Sequence, residues 1–493
     1  MNIKALKKVY FLGIGGIGMS ALARYLNTSG IKVVGYDKTP TSLTGELQAE
    51  GIDVHFDDQV EYITEDISLV VYTPAVPEEL EEFKKIRQLN LPLIKRSQLL
   101  EQLTAEHETI AVAGTHGKTT VSTMLAHILY SSPIGCTAFL GGIAKNYNSN
   151  LLINHNSRIM VAEADEFDRS FLRLYPSLAV ITSTDADHLD IYQDHESLLS
   201  SFGEFASNIV EEGTLLVKST VVLPSIALKN KGIKQYTYAL TSSDFQQDII
   251  DSPLPRPTSF SNPEILNSAA EADKDDKSNN KVIDFYVRNL QLVNGKYQFS
   301  LQTPGILIEG FNPPLTGLFN VENCVAASAA AYLSGVDPAD IVKAINSFKG
   351  VKRRFDRRIE QVDFLYIDDY AHHPEELKAC ITSVRKLYPE REITGIFQPH
   401  LYTRTRDFAE GFSESLALLD KLILLDIYPA REKPIEGVSS QMLLDNTPVK
   451  TKLLLSKEEV LKHLKRNKPD ILLTLGAGDI DQLVPLIEGI FKS

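Results

Sequence analysis

Residues 109–120 read Thr-Ile-Ala-Val-Ala-Gly-Thr-His-Gly-Lys-Thr-Thr. An apolar run that fits a buried strand leads into a glycine-bounded loop, and Lys118 opens a segment with helical periodicity as far as about Tyr130. Backbone N–H groups of such a strand–loop–helix unit cradle phosphates. The general phosphate-loop pattern has a glycine where Val112 stands, so the loop is a shorter variant that begins at Gly114. The stretch predicts a triphosphate site on a parallel α/β sheet.

The residues of this loop have distinct expected roles. We expect Lys118 to reach the β- and γ-phosphates and the Thr119 hydroxyl to bind Mg²⁺. The predicted triphosphate-binding residues of the loop are Gly114, Thr115, His116, Gly117, Lys118, Thr119 and Thr120. A structural turn is the alternative, and Gly-Lys-Thr-Thr directly after a strand makes it the weaker one.

Two acidic segments follow apolar strands farther along the chain. Glu163 ends one such strand and His188 follows another. Because ligands of an open parallel sheet bind beyond the carboxyl ends of its strands, we expect both residues beside the phosphate loop. Glu163 is a natural Mg²⁺ ligand, and His188 suggests a second metal position. The predicted metal ligands are Thr119, Glu163 and His188. For Asp165, Glu166 and Asp190 a solvated acidic loop is an equally good interpretation.

A second glycine-rich turn lies near the N-terminus. Gly13, Gly15, Gly16 and Gly18 separate a predicted strand from a helix, and Asp37 ends the next strand. This pattern is typical of a diphosphate held at a helix N-terminus, with the aspartate accepting hydrogen bonds from a ribose. An NAD-dependent oxidoreductase is the obvious interpretation, but it leaves the phosphate loop idle. A signal peptide is a further alternative, but the glycines interrupt the apolar run and a second strand follows, so we expect a folded strand and helix.

Further polar residues lie beyond a basic junction at 349–354. The run 369–373, Asp-Tyr-Ala-His-His, follows a predicted strand. Paired histidines beside carboxylates can bind a metal, move protons or contact a substrate, whereas capping of the next helix is the alternative. Arg404 and Arg406 supply positive charge for an anionic substrate, unless they form a surface ion-pair cluster.

Length and composition limit the class of function. The chain has 493 residues, a formal net charge of −14 and 43% hydrophobic residues. The negative charge argues against nucleic acid or an anionic membrane as partner, and no apolar run is long enough to span a bilayer. Three scattered cysteines fit a reducing cytoplasm and form no metal-ligand spacing. We expect a cytoplasmic enzyme with small-molecule substrates that is a monomer or a weak homodimer.

Alternating strands and helices predict α/β domains. At the usual domain size, the length predicts three, with expected bounds of 1–107, 108–350 and 351–493. Residues 241–281, rich in proline, serine and acidic residues, are interpreted as a flexible surface insertion in the second domain.

These motifs together resemble the Mur ligases, essentially from end to end. The resemblance rests on the 114–120 loop, Glu163, His188, Asn320–Asn323, the 369–373 run and the Gly476–Asp479 turn. It implies a Rossmann-like N-terminal domain, a central domain with a parallel sheet of the phosphate-loop ATPase type, and a Rossmann-like C-terminal domain.

The resemblance also implies a role for each domain. The first would bind the UDP of a sugar nucleotide, through Gly13, Gly15, Gly16, Gly18, Ser20 and Asp37. The second would bind ATP, with Asn320 and Asn323 near the adenine. The third would close over the site, with Arg354 and Asp369 reaching ATP and with Tyr370, His372, His373, Arg404 and Arg406 reaching the substrate. The implied catalytic residues are Lys118, Glu163, His188 and His372.

The implied activity is ATP- and Mg²⁺-dependent amide formation between the carboxylate of UDP-N-acetylmuramate and L-alanine. It would proceed through an acyl phosphate and yield ADP and phosphate, in the synthesis of peptidoglycan precursors. A related ligase that recycles a tripeptide and a non-catalytic scaffold for UDP-sugars are the alternatives. Two positions depart from the family pattern: Phe319 replaces a histidine near the adenine, and Leu401 replaces an arginine. We expect Arg404 or Arg406 to make the carboxylate contact that Leu401 lacks.

Overall fold

The computed structural model describes residues 3–185, 192, 194–224, 232–241, 283–430 and 432–492. His188 and the predicted insertion after residue 241 lie outside the described residues. The described residues form three α/β units, each built on its own sheet, so the expected fold class is confirmed.

The first unit is a five-stranded parallel sheet in the order β3-β2-β1-β4-β5. Its strands are β1 (Lys8–Leu12), β2 (Lys32–Tyr36), β3 (Asp53–His55), β4 (Leu69–Tyr72) and β5 (Leu93–Lys95). Its helices are α1 (Ile17–Thr28), α2 (Ser42–Ala49), α3 (Glu81–Gln88) and α4 (Arg96–Thr104). The central strand β1 is apolar along its whole buried length because helices cover both faces of the sheet.

The central unit has a ten-stranded sheet in the order β15-β14-β13-β12-β11-β10-β6-β9-β7-β8. Its strands are β6 (Glu108–Ala113), β7 (Thr137–Ala144), β8 (Ser149–Leu152), β9 (Ile159–Glu163), β10 (Leu178–Ile181), β11 (Thr214–Lys218), β12 (Lys234–Ala239), β13 (Phe285–Val293), β14 (Lys296–Gln302) and β15 (Leu307–Phe311). Its helices are α5 (Lys118–Ser131), α6 (His195–Ser207), α7 (Leu318–Leu333) and α8 (Pro338–Ser347). The centre is parallel, as predicted, but β7–β8 and β13–β14–β15 pair antiparallel at the two edges.

The third unit has a six-stranded sheet in the order β16-β17-β21-β18-β19-β20, antiparallel only at β16. Its strands are β16 (Asp356–Glu360), β17 (Leu365–Asp369), β18 (Ile393–Phe397), β19 (Lys421–Leu424), β20 (Thr451–Leu454) and β21 (Ile471–Leu475). Its helices are α9 (Pro374–Leu387), α10 (Tyr402–Asp407), α11 (Ala409–Leu416), α12 (Ser440–Asn446), α13 (Lys457–Arg466) and α14 (Leu483–Phe491).

The first and central units share one hydrophobic core, which includes Val9 of β1, Ala111 of β6 and Phe205 of α6. The junction is reinforced by Asn150 of β8. Its amide donates to the carbonyl of Ile17 (2.6 Å) and accepts from the guanidinium of Arg24 (2.5 Å). The third unit has separate cores of its own, and it meets the others around the site described below. No helix among the described residues is long and apolar enough to cross a membrane.

Candidate active site

The phosphate loop is fastened to the end of the neighbouring strand β10. The N–H of Thr115 donates to the carbonyl of Ser183 (3.1 Å), and the N–H of His116 donates to the Ser183 hydroxyl (2.8 Å). Gly114 has a φ of 132°, and a Cβ there would lie 2.2 Å from the hydroxyl oxygen of Thr182. The loop therefore requires glycine at 114, and strand β10 sets its shape.

Lys118 begins helix α5 and forms a buried ion pair. Its Nζ lies 2.8 and 2.7 Å from the two carboxylate oxygens of Glu166, whose side chain is fully buried. Burial lowers the pKa of Lys118, but the carboxylates of Glu166, Asp165 and Glu163 more than offset it, and the net shift is upward. Burial raises the pKa of Glu166 to about 7, against the opposing effect of Lys118. The lysine is therefore an ammonium at neutral pH.

Glu163 stands across the loop from Lys118 with one oxygen bonded and one free. Its Oε1 accepts a hydrogen bond from the Thr119 hydroxyl (3.0 Å), whereas its buried Oε2 finds no partner among the described residues. Burial raises the pKa of this carboxyl, and the Lys118 charge opposes that shift. A Cβ on Gly141 of strand β7 would lie 2.0 Å from Oε2, so a side chain there would displace the carboxylate.

Thr119 and Glu163 fit the requirements of a magnesium site. Both offer hard oxygen donors, and the buried Oε2 lacks the partner that a buried carboxylate oxygen needs. Within the described ranges, no group of three or more His, Cys, Asp and Glu side chains is arranged to hold a metal ion. Phosphate and water oxygens would therefore have to complete the coordination, and His188 lies outside the described residues.

A large cavity of about 660 Å³ joins all three units at this point. The first unit contributes Gly15, Gly18, Thr41, Glu46 and Arg96; the central unit contributes Thr115, Lys118, Thr119, Glu163 and Asp165; the third unit contributes Tyr370, His372, Glu376 and Asp481. Gly15 and Gly18 of the N-terminal turn thus face the same space as Thr115, Lys118 and Thr119 of the phosphate loop. Arg96 was not predicted, since a single arginine at a helix start carries no pattern of its own.

The other predicted residues of the N-terminal turn are bonded within the protein. The Asp37 carboxylate accepts hydrogen bonds from the N–H groups of Gly15 (2.8 Å) and Thr39 (3.1 Å). Ser20 is fully buried at the junction with the central unit, where its hydroxyl accepts a hydrogen bond from Asn150 (2.9 Å). Asp37 and Ser20 therefore hold the turn in place. Gly13 (φ 84°) and Gly16 lie in the same turn but do not line the cavity.

A smaller cavity of about 280 Å³ lies on the other side of the phosphate loop. Helix α7 begins at Leu318, and its first two turns place Asn320 and Asn323 beside the loop. The cavity is lined by His116, Gly117, Thr120, Phe319, Asn320, Asn323, Arg354 and Asp369, among others. Most of the residues predicted to bind ATP therefore line this second space, whereas Thr115, Lys118 and Thr119 of the same loop line the first.

Asp369 is held within the third unit. Its carboxylate accepts hydrogen bonds from the N–H groups of Phe355 (2.6 Å) and Ala371 (2.7 Å). Burial raises its pKa to about 7, although the nearby Arg354 charge lowers it. The Arg354 guanidinium lies over the Tyr370 ring, 4.8 Å from its centroid, and 3.5 Å from the Thr119 hydroxyl. Arg354 therefore links the third unit to the phosphate loop.

His372 is a half-buried histidine held by the backbone and by Glu376. Its Nδ1 lies 3.0 Å from the carbonyl of Tyr370 and 3.3 Å from a Glu376 oxygen. Burial lowers its pKa to about 3; the Glu376 charge opposes this shift and Arg404 adds to it. A neutral ring with the proton on Nδ1 leaves Nε2 as an acceptor.

The remaining predicted residues lie at the edge of the site or away from it. The ring of His373 packs against the rings of His116 and Phe408, at centroid distances of 5.6 and 4.7 Å. His373 is also the N-cap residue of α9. Arg404 is half-buried and close enough to affect His372. Arg406 is exposed and forms an ion pair with its neighbour Asp407 at 2.7 Å, which agrees with the alternative interpretation of a surface ion pair.

Several residues of the site were not predicted from the sequence. Glu166 had been interpreted as equally compatible with a solvated loop, and it is instead the partner of Lys118. Glu376 contacts both the phosphate loop and His372. Its position three residues after the helix N-cap His373 is the one available signal, because a glutamate there often caps the helix start. Thr182, Ser183 and Gly141 carry no such signal.

Three family models match the chain in succession. The Mur ligase family catalytic-domain model matches residues 8–108, the Mur ligase middle-domain model matches 112–254, and the Mur ligase glutamate-ligase-domain model matches 353–478. These ranges together cover well over half of the chain.

Curated relatives match over nearly the full length. A UDP-N-acetylmuramate–L-alanine ligase of Parabacteroides distasonis is 46% identical over 99% of this chain and 98% of its own. One of Phocaeicola vulgatus is 45% identical over 100% of both chains. Among solved structures, UDP-N-acetylmuramate-alanine ligase MurC from Thermotoga maritima has a TM-score of 0.76 at 24% identity and covers 98% of this chain and 99% of that one.

Further structures share the fold at lower identity. A murein peptide ligase from Psychrobacter arcticus has a TM-score of 0.67 at 21% identity and covers 99% of this chain and 97% of that one. A MurF ligase from Thermotoga maritima in complex with ADP has a TM-score of 0.57 at 14% identity and covers 100% of this chain and 99% of that one. With three family models in order and curated relatives above 40% identity across the whole length, the chain belongs to the Mur ligase family.

Proposed function

We propose that the chain is an ATP-dependent ligase that joins the carboxylate of UDP-N-acetylmuramate to the amino group of L-alanine and releases ADP and phosphate. The observation that carries this proposal is the pair of cavities on the two sides of the phosphate loop, with Lys118 and Glu163 in the wall of the larger one and Arg354 lining both. The curated relatives with this activity in their names match the whole length of the chain. We assign the sugar nucleotide to the large cavity and the ATP to the small one.

The first chemical step brings two anions together. The substrate carboxylate attacks the γ-phosphorus of ATP, and ADP leaves. Lys118 supplies positive charge at the point where the phosphates lie, and the backbone of the loop supplies N–H donors. The buried position strengthens both effects, since little water competes inside the cavity.

We propose that Mg²⁺ binds at Thr119 and Glu163, with His188 at a second position. The metal would neutralise charge on the phosphates when bound. Glu163 would use its Oε2 for this purpose, the oxygen that has no protein partner within the described part of the chain. The Thr119 hydroxyl holds the other oxygen and so orients the carboxylate.

The second step forms the amide bond. The neutral amino group of L-alanine attacks the acyl carbon, the bond from that carbon to the phosphate oxygen breaks, and the departing phosphate takes up the proton that the nitrogen loses. His372 is neutral above about pH 4 because burial lowers its pKa to about 3. We therefore assign it to orient the amine through Nε2 rather than to hold the proton. Closure of the third unit, which begins at about residue 351, excludes water from the acyl phosphate.

The test is phosphate release from ATP by the purified chain. We expect release to require UDP-N-acetylmuramate and L-alanine together, with one amide formed per phosphate. Replacing L-alanine with a tripeptide is the control for the recycling activity, and NAD binding is the control for an oxidoreductase. Rapid amide formation with the tripeptide and none with L-alanine would refute the proposed acceptor.

The three buried thiols are consistent with a cytoplasmic setting, which we propose for the reaction.

A further inference from the structure

Glu376 in the first turn of α9 has one carboxylate oxygen committed to its own unit. Its Oε2 accepts hydrogen bonds from the N–H groups of His372 (3.0 Å) and His373 (3.3 Å), and it lies 3.3 Å from Nδ1 of His372. These contacts fix the side chain relative to the start of the helix.

The other oxygen points out of the third unit. Oε1 of Glu376 lies 3.7 Å from Nδ1 of His116 in the phosphate loop and 3.9 Å from Nη1 of Arg354. Both distances exceed those of direct hydrogen bonds, but at this range the positive charge of the partly buried Arg354 attracts the carboxylate. Burial raises the pKa of this carboxyl, yet His372, His116 and Arg354 outweigh burial and hold it well below the usual value, so the group is a carboxylate.

The carboxylate also lies where the two cavities meet. Glu376 and Arg354 line both the 660 Å³ cavity and the 280 Å³ cavity. Arg354 is at the same time 3.5 Å from the hydroxyl of Thr119 in the phosphate loop. A triphosphate bound on that loop therefore brings its own negative charge to the arginine that Glu376 attracts.

We propose that Glu376 is a positioning residue that competes with the bound triphosphate for Arg354 and so couples nucleotide binding to the placement of His372 and the third unit. Without nucleotide, Glu376 holds Arg354 and faces His116. With nucleotide, Arg354 turns to the phosphates, and the repulsion between them and Glu376 sets the distance at which α9 docks. The proposal rests on the proposed function for the identity of the triphosphate.

Glu376→Gln in the full-length chain is the decisive variant. The amide retains an oxygen for the N–H groups of His372 and His373 but removes the charge. We expect the Kd for a non-hydrolysable ATP analogue with Mg²⁺ to fall about threefold to tenfold, because a competing carboxylate is gone. We expect kcat for phosphate release to fall about tenfold or more, because the docking distance is no longer set.

Two further variants isolate the effect. Glu376→Asp keeps the charge but shortens its reach, so kcat should fall without tighter nucleotide binding. Glu410→Gln removes an exposed carboxylate on the neighbouring helix α11 and should change neither quantity. Calorimetry gives the Kd, and coupled phosphate release gives kcat.

Unchanged or weaker nucleotide binding by Glu376→Gln would overturn the proposal, since competition predicts tighter binding and a purely structural role predicts weaker binding. Unchanged kcat would overturn it as well. The nucleotide-binding measurement needs no turnover, so it tests Glu376 even if the wild-type chain does not use L-alanine. Failure of the proposed function would be seen in the wild-type chain alone.

Discussion

Lys118, in the wall of the large cavity, pairs with the fully buried carboxylate of Glu166, which lies 2.7 Å away behind that wall. Glu163 and Asp165 line that cavity, but Glu166 does not. The lysine can therefore face a phosphate while the carboxylate behind it holds its position. A buried pair of this kind contributes little net stability as a pair, but losing one partner leaves an uncompensated charge.

Lys118→Ala should abolish ADP release and also change how stability depends on pH. The Glu166 carboxyl, already raised to about pKa 7, would lose its cation and shift further upward. The folded state would then keep a proton that the unfolded state, with a pKa near 4.3, releases. The free energy of unfolding should therefore fall as the pH rises from about 4.5 to above 7, by a total of about 3–5 kcal/mol. Urea unfolding at pH 5 and pH 8 measures this difference.

The double variant Lys118→Ala/Glu166→Gln is the matched control. It lacks the titrating carboxyl, so its free energy of unfolding should differ by no more than about 1 kcal/mol between pH 5 and pH 8. A single variant whose stability does not fall between pH 5 and pH 8 would contradict the assignment of a buried charge pair.

Gly141→Ala tests the free oxygen of Glu163. The added Cβ would lie 2.0 Å from Oε2 at its present position, so the carboxylate must turn away. We expect the Mg²⁺ concentration for half-maximal ADP release to rise about tenfold. Gly489→Ala in α14, where a Cβ has open space, is the control and should show the wild-type Mg²⁺ dependence. An unchanged Mg²⁺ requirement in Gly141→Ala would remove Glu163 from the metal site.

At the scale of elements, the strands that begin a βα unit were predictable from the sequence. Strands such as β6 and β21 are buried on both faces and read as continuous apolar runs between turn signals. The edge strands β13–β15 are half-exposed and lack that run, and β7 contains two glycines that weaken strand propensity. Those glycines are required by side chains that approach from other elements, which no local pattern reveals.

The candidate site was likewise predictable only where local sequence patterns determine it. The carboxyl ends of neighbouring parallel strands were expected to bring the phosphate loop and Glu163 together, and they do so. The partner of Lys118 depended on the turn after β9, and the contacts of Glu376 depended on how the third unit docks. Long-range placement of single side chains is not encoded in strand and helix periodicity.

The junction of α1 with β8 is an element whose stability can be measured directly. Asn150→Ala would leave the buried Arg24 guanidinium without one acceptor and would remove the hydrogen bonds from Asn150 to the Ile17 carbonyl and the Ser20 hydroxyl. We expect the free energy of unfolding to fall by about 2–3 kcal/mol in urea. Asn146→Ala, which removes two hydrogen bonds at the surface, should cost less than about 1 kcal/mol. Equal losses would contradict a structural role specific to Asn150.

At the scale of the whole molecule, the first and central units share one hydrophobic core, and the third unit meets them at the site. Tyr370 and His372 of the third unit line the large cavity, and Asp369 and Cys380 line the small one. If the third unit closes on one ligand, as we propose, it would therefore also prepare the wall of the other cavity.

This arrangement predicts linkage between the two substrates. A saturating ATP analogue should lower the Kd for UDP-N-acetylmuramate about fivefold, and the sugar nucleotide should lower the Kd for the analogue by the same factor. Calorimetric titration of each ligand with and without the other measures both factors. Independent binding, with both factors equal to one, would show that closure of the third unit is not shared by the two cavities.

The meeting of the two cavities at Arg354 and Glu376 has a consequence for inhibitor design. A bisubstrate compound that tethers an adenosine moiety to a muramate analogue through a short acidic spacer would fill both spaces at once. Its second half would bind at a high effective concentration, so two weak fragments would combine into one tight inhibitor. The spacer would have to pass between the Arg354 cation and the Glu376 anion. A spacer that carries its charge only at the adenosine end is therefore favoured.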